Sequence, residues 1–264
     1  MPDQHDELAS AGRRLVELTS PETEALVRRS GTAVVGLGSV EQHGPHLPNG
    51  TDIMAANLVA DAVAERLDAL RVPFAPYGVT PLHAGWPGTI SLRQETFDAL
   101  LTDICRELIG HGVHTVVLVN WHEGNIPSMN AVAIRLQAEH DTTFVAVQAC
   151  YVAQRIYREL GGELTHGGGI ETLAVLAHDP ALAKVDRAGQ PSRPPGAAEL
   201  DQMRRSHEVY GFVTDVAELT EAGWYGNPDW ADAGLAKSFA GTVAAEVVSQ
   251  VQAVVRARQG TEQK

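Results

Sequence analysis

Two hydrophobic patterns alternate along the chain. Short, almost wholly apolar runs predict buried strands at 32–37, 72–76, 115–119 and 143–147. Apolar residues recur every three to four positions at about 54–70 and 97–108, which predicts amphipathic helices there. The start signal Ser20-Pro21-Glu22 predicts a short helix at 20–29, and a further helix is predicted at about 127–140. Strands that alternate with helices favour a parallel sheet with helices on both faces. The pattern therefore predicts an α/β fold.

The last third of the chain is patterned less clearly. Residues 186–196 contain three prolines and two glycines, which indicates a surface loop or an active-site cover rather than a domain linker. The final apolar stripe predicts a helix whose simplest role is packing, and it consists of Leu235, Phe239, Val243, Val247, Val251 and Val254. We expect one domain over residues 1–264, with disorder confined to the ends at 1–18 and 258–264.

Composition excludes several classes of function. The chain has 264 residues, a formal net charge of -13 and a pI near 5.2, so its overall field opposes binding to nucleic acid or to anionic membranes. Its two cysteines, Cys105 and Cys150, form no CxxC pair and cannot build a thiolate metal cage. We find no apolar leader and no run of about 18 apolar residues, so we expect a cytoplasmic protein.

The first group of chemically active side chains follows the first predicted strand. Glu41 and His43 are two positions apart, so an extended backbone would point both to the same side. A Gly/Pro-rich turn then leads to Asp52, whose two oxygens could bridge two ions. Carboxylate oxygens and neutral imidazole nitrogens are suitable ligands for zinc, manganese or iron. The alternative is a polar loop in which Asp52 caps a helix.

Two further groups contain a histidine. His122 follows the clearest apolar strand, and ligands of parallel sheets collect beyond the carboxyl ends of the strands. Its alternative role is a loop histidine that bonds to backbone. His166 precedes three glycines and then Glu171, at the entrance to a predicted helix. This turn lacks the lysine of a phosphate-binding P-loop, and its alternative role is a flexible connection.

Five motifs, in order along the chain, resemble successive signatures of the creatininase (creatinine amidohydrolase) family. They are GSVEQHGPHLPNGTD, WPGTISL, NWHEGN, HGGGIET and GWYGNPDWADA. The resemblance includes members similar to the mycofactocin-maturation peptidase and to a formamidopyrimidine deformylase. It implies a three-layer α/β/α fold with a mostly parallel central sheet, a two-metal centre and a homo-oligomer. It also implies hydrolysis of a C–N amide bond in a lactam, a formamide or a small peptide-like substrate, with non-peptide or cyclic amides favoured.

The resemblance assigns roles to particular positions. The metal ligands are Glu41, His43, Asp52 and His122, with Asp52 as the bridge between two divalent ions, zinc first and manganese or iron as alternatives. His166 matches a histidine that assists the reacting amide.

The chain departs from the family pattern at two positions where relatives supply a carboxylate, Gly124 and Gly169. Glu171 could compensate as a ligand or act in catalysis, and Glu123 is a second candidate. The alternative function is a non-catalytic or single-metal member that acts in ligand binding or assembly. We expect the substrate to contact Trp86, Trp121, Glu123 and Trp224.

Overall fold

The computed structural model describes residues 13–206 and 208–262, with side chains as far as residue 260. Its centre is a sheet of four parallel strands in the order β2-β1-β3-β4. The strands are β1 (Thr32–Leu37), β2 (Leu70–Val72), β3 (Thr115–Asn120) and β4 (Thr143–Gln148). The predicted parallel α/β architecture is confirmed.

Eight α-helices surround this sheet within the described residues. They are α1 (Ser20–Ser30), α2 (Thr51–Leu67), α3 (Gln94–Gly110), α4 (Ile126–Glu139), α5 (Ala149–Tyr157), α6 (Gly169–His178), α7 (Ala197–Arg204) and α8 (Ala233–Glu262). Short 3₁₀ turns occur between them, and the one that matters for the site covers Glu123–Asn125.

The side chains of each strand alternate between two apolar cores. Val34 and Val117 belong to a cluster with α2, α5, α6 and α8, whereas Val35 and Leu118 belong to a second cluster with α1, α3 and α4. All four valine and leucine side chains are completely buried. Burial of such a side chain stabilises the fold by roughly 1.5–3 kcal/mol. Helices therefore cover the sheet on both faces and form three layers.

Two element boundaries differ from the sequence predictions. The second strand is Leu70–Val72 rather than 72–76, because Pro73 and Pro76 lack the N–H groups that a strand needs for pairing. Helix α2 begins at Thr51, three residues before the predicted start, so Asp52 lies in its first turn. The early start gives this carboxylate a fixed position.

The structure describes residues 13–18, and the disorder expected for the two ends of the chain stays a prediction. Arg13 bonds to Asp68, Arg14 bonds to Asp61, and Leu15–Glu17 form a 3₁₀ turn. At the other end, residues 258–262 continue helix α8. The same expectation for residues 1–12 and 263–264 lies outside the described residues. The single-domain assignment stays a prediction.

Helix α8 is long and apolar enough, by length and composition alone, to cross a membrane, and it is the one such helix among the described residues. In the structure its apolar stripe instead packs against α2 and α6. Phe239 and Val243 are fully buried, and Val247 is 1% exposed. This packing is that of a core helix, which agrees with the role expected from the sequence.

Candidate metal centre

The loops that follow β1 and β3 meet at the carboxyl edge of the sheet. Leu37 and Asn120 are paired in register at the ends of these strands, and the N–H of Trp121 donates to the carbonyl of Leu37 at 2.9 Å. This pairing places His122 beside the loop that contains Glu41. All four sequence-predicted ligands are buried at this edge: Glu41, His43, Asp52 and His122.

Asp52 lies between two histidines, with one carboxylate oxygen towards each. Its Oδ1 lies 3.2 Å from Nε2 of His43, and its Oδ2 lies 2.9 Å from Nδ1 of His122. Glu41 approaches the same Nδ1 of His122 at 3.3 Å. Three groups of possible ligand atoms result, and two of them contain Asp52: one adds Glu41 and His122, the other adds His43 and Glu171. The third group joins Glu41, His43 and His166.

The far nitrogen of each histidine is anchored to backbone. Nδ1 of His43 lies 3.0 Å from the carbonyl of Glu41, and Nε2 of His122 lies 3.1 Å from the carbonyl of Val79. Because a carbonyl only accepts, each of these nitrogens carries a hydrogen, and the other nitrogen of each ring faces Asp52, where it could bind a metal ion after losing its own hydrogen. Metal-binding histidines are held in this way by backbone or carboxylate partners.

Two buried polar atoms of the cluster have no hydrogen-bond partner among the described residues, Nε2 of His43 and Oε2 of Glu41. An unpaired buried polar group costs free energy, so such atoms call for an explanation. Both belong to residue types that bind zinc, manganese or iron, and both point into the groups of ligand atoms described above. The residues present therefore fit divalent metal ions.

Strong electrostatic coupling accompanies this packing. Burial alone would raise the pKa of Asp52, but the facing His43 and His122 hold it well below its ordinary range. Burial alone would lower the pKa of His122, yet Glu41 and Asp52 raise it to about 9. Burial, together with the nearby Asp52 charge, raises the pKa of Glu41 to about 6. The carboxylates thus create a site that favours positive charge.

The Glu171 carboxylate lies among the candidate ligands, whereas a side chain does not fit at Gly124 or Gly169, the two positions that depart from the family pattern. It lies in the first turn of α6, where Oε1 is 3.7 Å from Nε2 of His43 and Oε2 accepts from the N–H of Gly167. A Cβ at Gly124 would lie 2.1 Å from the carbonyl of Val79, and a Cβ at Gly169 would lie 2.1 Å from Nε1 of Trp230. The structure therefore places Glu171 with the other candidate ligands.

His166 stands at the side of the cluster, in a stack of imidazole rings. Its Nε2 lies 2.7 Å from the carbonyl of Gln42, and its Nδ1 lies 3.8 Å from Oε1 of Glu41. Its ring centroid is 4.3 Å from that of His43 and 4.2 Å from that of His83. Burial, and electrostatic interaction with the neighbouring His83 and His43, hold its pKa well below the ordinary value.

His83 was missed by sequence reasoning. It is 4% exposed and lines the pocket over the cluster, and its Nε2 lies 3.6 Å from Oε1 of Glu41. Burial and the nearby His43 and His122 lower its pKa to about 3. The sequence signal was slight, since a lone histidine three residues before the WPGTISL motif has no spacing that indicates chemistry.

A pocket of about 480 Å³ opens over the cluster. Glu41, Asp52, His122, His166 and Glu171 form its base. Its outer wall is largely apolar and comes from the segment after α7, including Tyr210, Phe212, Val213, Val216 and Leu219. This segment, rather than residues 186–196, covers the site.

The four expected substrate contacts divide into two pairs. Trp121 and Glu123 line the pocket, whereas Trp86 and Trp224 do not. Trp224 is 1% exposed and packs on His46 with the ring centroids 4.4 Å apart, so it supports the loop between Glu41 and Asp52 from below.

Glu123 is held by cations and contributes to neither group of ligand atoms that contains Asp52. It accepts from Tyr151 Oη at 2.7 Å, from Arg204 at 2.9 Å and from Arg205 at 2.7 and 3.1 Å. Asp201 pairs with both arginines at 2.8 Å. Burial alone would raise the pKa of Glu123, but Arg205 and Arg204 outweigh it and lower that pKa to about 2. Glu123 thus ties the pocket wall to the turn after His122.

Several known proteins are similar to this chain in sequence and in fold. The family profile described as creatininase, creatinine amidohydrolase, matches residues 16–251. The mycofactocin precursor peptide peptidase of Mycobacterium tuberculosis is 32% identical over 227 residues, which are 82% of this chain and 83% of the relative. The creatinine amidohydrolase of Pseudomonas putida is 34% identical over 192 residues, which are 65% of this chain and 74% of the relative.

Solved structures give the same result. A mutant creatininase of the Zn–Zn type and a creatininase in a Mn form each match with a TM-score of 0.72 at 26% identity. Each match covers 92% of this chain and 98% of the other. The family profile, the similar relatives and the three-layer fold all indicate the same family, and this chain belongs to the creatininase family.

Proposed function

We propose that this protein hydrolyses a C–N amide bond with two divalent metal ions held by Glu41, His43, Asp52, His122 and Glu171. The observation that carries the proposal is the position of Asp52, whose two oxygens face two different histidines in two overlapping groups of ligand atoms. A single-ion site would leave one of these groups unused. Zinc is the first candidate, with manganese or iron as alternatives.

Two bound divalent ions would supply Lewis acidity, which lowers the pKa of water and polarises a carbonyl. The chain itself keeps the ligand atoms in place, because Ser39 Oγ donates to Oδ2 of Asp52 at 2.7 Å and backbone carbonyls hold both histidines. Asp52 gains further rigidity from its place in the first turn of α2. These contacts pre-organise the site before substrate binds.

His166 is the proposed proton carrier. Its Nε2–H is committed to the carbonyl of Gln42, so Nδ1 presents a lone pair next to Glu41. That lone pair can take a proton from the attacking water and then give it to the departing nitrogen. A group that acts as a general acid or base typically contributes about 10²–10⁴-fold in rate.

The pocket sets an outer limit on the substrate. A volume of about 480 Å³ lies within the range of sites that bind small ligands, and it accommodates more than a single small ring. We propose a small amide, and we favour non-peptide or cyclic amides as the sequence indicated. One relative is named a peptide peptidase, so short peptides belong in the same test.

The test measures bound metal and turnover on the same protein. Purified protein is loaded with Zn²⁺ or Mn²⁺, its metal content is measured by mass spectrometry, and a lactam such as creatinine, a formamide and a short peptide are offered. We expect two ions per chain and turnover of at least one amide. Asp52→Ala and His122→Ala should lose metal and activity while they remain folded.

Matched controls keep the result specific. Asp141→Ala and His111→Ala change exposed residues of the same types and should keep both metal and turnover. One tightly bound ion with no turnover of any amide would instead favour the alternative, a non-catalytic member that uses one ion for ligand binding or assembly.

We also propose a cytoplasmic homo-oligomer. Family membership supports the homo-oligomer. The presence of only two cysteines, with no CxxC pair, supports a reducing cytoplasm.

A further inference from the structure

The amide of Gln42 can be oriented from its backbone partners. The N–H of Gly44 lies 3.0 Å from Oε1 of Gln42, and the carbonyl of Gly223 lies 2.5 Å from its Nε2. A backbone N–H only donates and a carbonyl only accepts, so these two contacts fix which end of the amide is the NH₂ group. The second hydrogen of that NH₂ group remains to be placed.

Two histidine nitrogens lie within reach of this second hydrogen. Nδ1 of His83 is 2.9 Å from Nε2 of Gln42, and Nε2 of His166 is 3.2 Å away. The His166 nitrogen already carries a hydrogen, because it donates to the carbonyl of Gln42, and so it cannot accept another. The acceptor is therefore Nδ1 of His83.

This contact fixes the tautomer of His83. A doubly protonated imidazole has no lone pair, so a ring that accepts at Nδ1 is neutral and carries its hydrogen on Nε2. That Nε2 lies 3.6 Å from Oε1 of Glu41, and both residues line the pocket. His83 thus presents a donor to the site, while the stacked His166 presents a lone pair.

We propose that His83 is a catalytic hydrogen-bond donor, whose Nε2–H contacts the carbonyl oxygen of the amide as negative charge develops on it, and that Gln42 is the positioning residue that sets this tautomer. The inference rests on the proposed function. No proton leaves His83 in this step, because the ring only donates a hydrogen bond. His83 and His166 therefore divide the donating and accepting roles between two stacked rings.

The first test measures the tautomer directly, on metal-free protein and without substrate. Nitrogen NMR of protein labelled with ¹⁵N-histidine distinguishes a ring nitrogen that carries hydrogen from one that does not, and His83→Gln identifies the signals of His83. We expect hydrogen on Nε2 in the wild type. In Gln42→Glu the new carboxylate cannot donate, so we expect hydrogen on Nδ1. Wild-type protein with its hydrogen on Nδ1 would overturn the proposal.

The second test separates substrate contact from orientation of Glu41. With the amide that the wild type hydrolyses, His83→Leu should lower kcat by about 10²–10³-fold, the usual loss on removal of one oxyanion donor, and leave KM little changed. His83→Gln keeps an N–H at similar reach and should recover part of the rate. Affinity for Zn²⁺, measured by titration, should change far less than the roughly 10–100-fold that loss of a residue orienting a metal ligand typically costs.

The outcomes are distinguishable. If His83→Leu loses Zn²⁺ affinity but keeps kcat per bound metal, His83 only orients Glu41 and the donor role is wrong. If the wild type hydrolyses none of the amides, the proposed function fails together with the catalytic role, while the NMR result still reports whether the donor geometry is correct. A Gln42→Glu change that adds no loss in the His83→Leu background would show that both residues act through one hydrogen bond.

Discussion

Replacement of Glu123 by glutamine should loosen the outer wall of the pocket. The wild-type carboxylate accepts four hydrogen bonds, one from Tyr151 and three from Arg204 and Arg205. Glutamine has the same size but offers one acceptor oxygen and no charge. Asp201 would then supply the negative charge that the two guanidinium groups share.

The expected loss of unfolding free energy depends on how deeply these charged groups are buried. Removal of one partner from a fully buried ion pair costs about 3–5 kcal/mol. The Glu123 side chain is 24% exposed and the two arginines are 17–18% exposed, so water offsets part of that cost. Asp201 also continues to pair with both arginines. We therefore expect Glu123→Gln to lower the free energy of unfolding by about 2–3 kcal/mol.

Urea unfolding at pH 7 measures this loss of unfolding free energy. Limited digestion with trypsin shows which part of the chain opens locally. Cleavage after Arg204 or Arg205 should become faster in Glu123→Gln, because local opening exposes the segment. Glu139→Gln is the control, since Glu139 forms an exposed pair with Arg106 and should change unfolding far less. Arg205→Met tests the coupling, and the double variant with Glu123→Gln should lose less than the sum of the single losses.

Unchanged unfolding and unchanged cleavage in Glu123→Gln would refute this reasoning. Metal content provides a separate check, because Glu123 lies outside both ligand groups that share Asp52. Loss of an ion from the folded variant would show that Glu123 compensates for the missing family carboxylate after all.

Three further predictions concern other parts of the molecule. Gly169→Ala should lower unfolding free energy in urea by about 1–3 kcal/mol through overpacking against Trp230, and a smaller loss when Trp230→Ala is also present would identify that contact as the cause. His166→Ala should lower turnover about 10²–10⁴-fold with near-normal metal content, and strong rescue by His166→Asn would rule out proton transfer. Light scattering should find a species larger than the 28.2 kDa chain, whereas a monomer at every concentration would contradict the proposed oligomer.

The sheet could be predicted from sequence because each central strand is an uninterrupted apolar run. Thr32–Leu37 and Thr115–Asn120 are buried along almost their whole length, so their composition reports their environment directly. The second strand was misplaced because 72–76 combines apolar residues with two prolines, and apolar content alone does not show which N–H groups are needed for pairing.

The candidate ligands could be predicted because their local spacing carries information. The two-residue step from Glu41 to His43 and the position of His122 after a strand each indicated where the side chains would point. The roles of Gln42 and His83 could not be predicted in this way. Their contact joins residues 41 positions apart, and only the folded chain brings them together.

Large aromatic residues in loops gave mixed results for a related reason. Trp121 lines the pocket, whereas Trp86 and Trp224 do not, and nothing in the local sequence distinguishes a wall from a support beneath it. Proline and glycine identified residues 186–196 as irregular but could not show where that loop lies. The actual cover, which includes Phe212 and Leu219, has no comparable composition.

The candidate ligands are widely spaced along the chain, from Glu41 to Glu171. The site can therefore form only when the chain is folded. Any ion bound there closes loops between segments that the unfolded chain keeps far apart, so the unfolded state offers no comparable site. Mass action then adds to stability: an ion at 100 times its dissociation constant contributes about 2.7 kcal/mol per site. The residues proposed to bind metal would thus act as a reversible cross-link between the loops after β1 and β3 and helix α6, and a chelator would remove it.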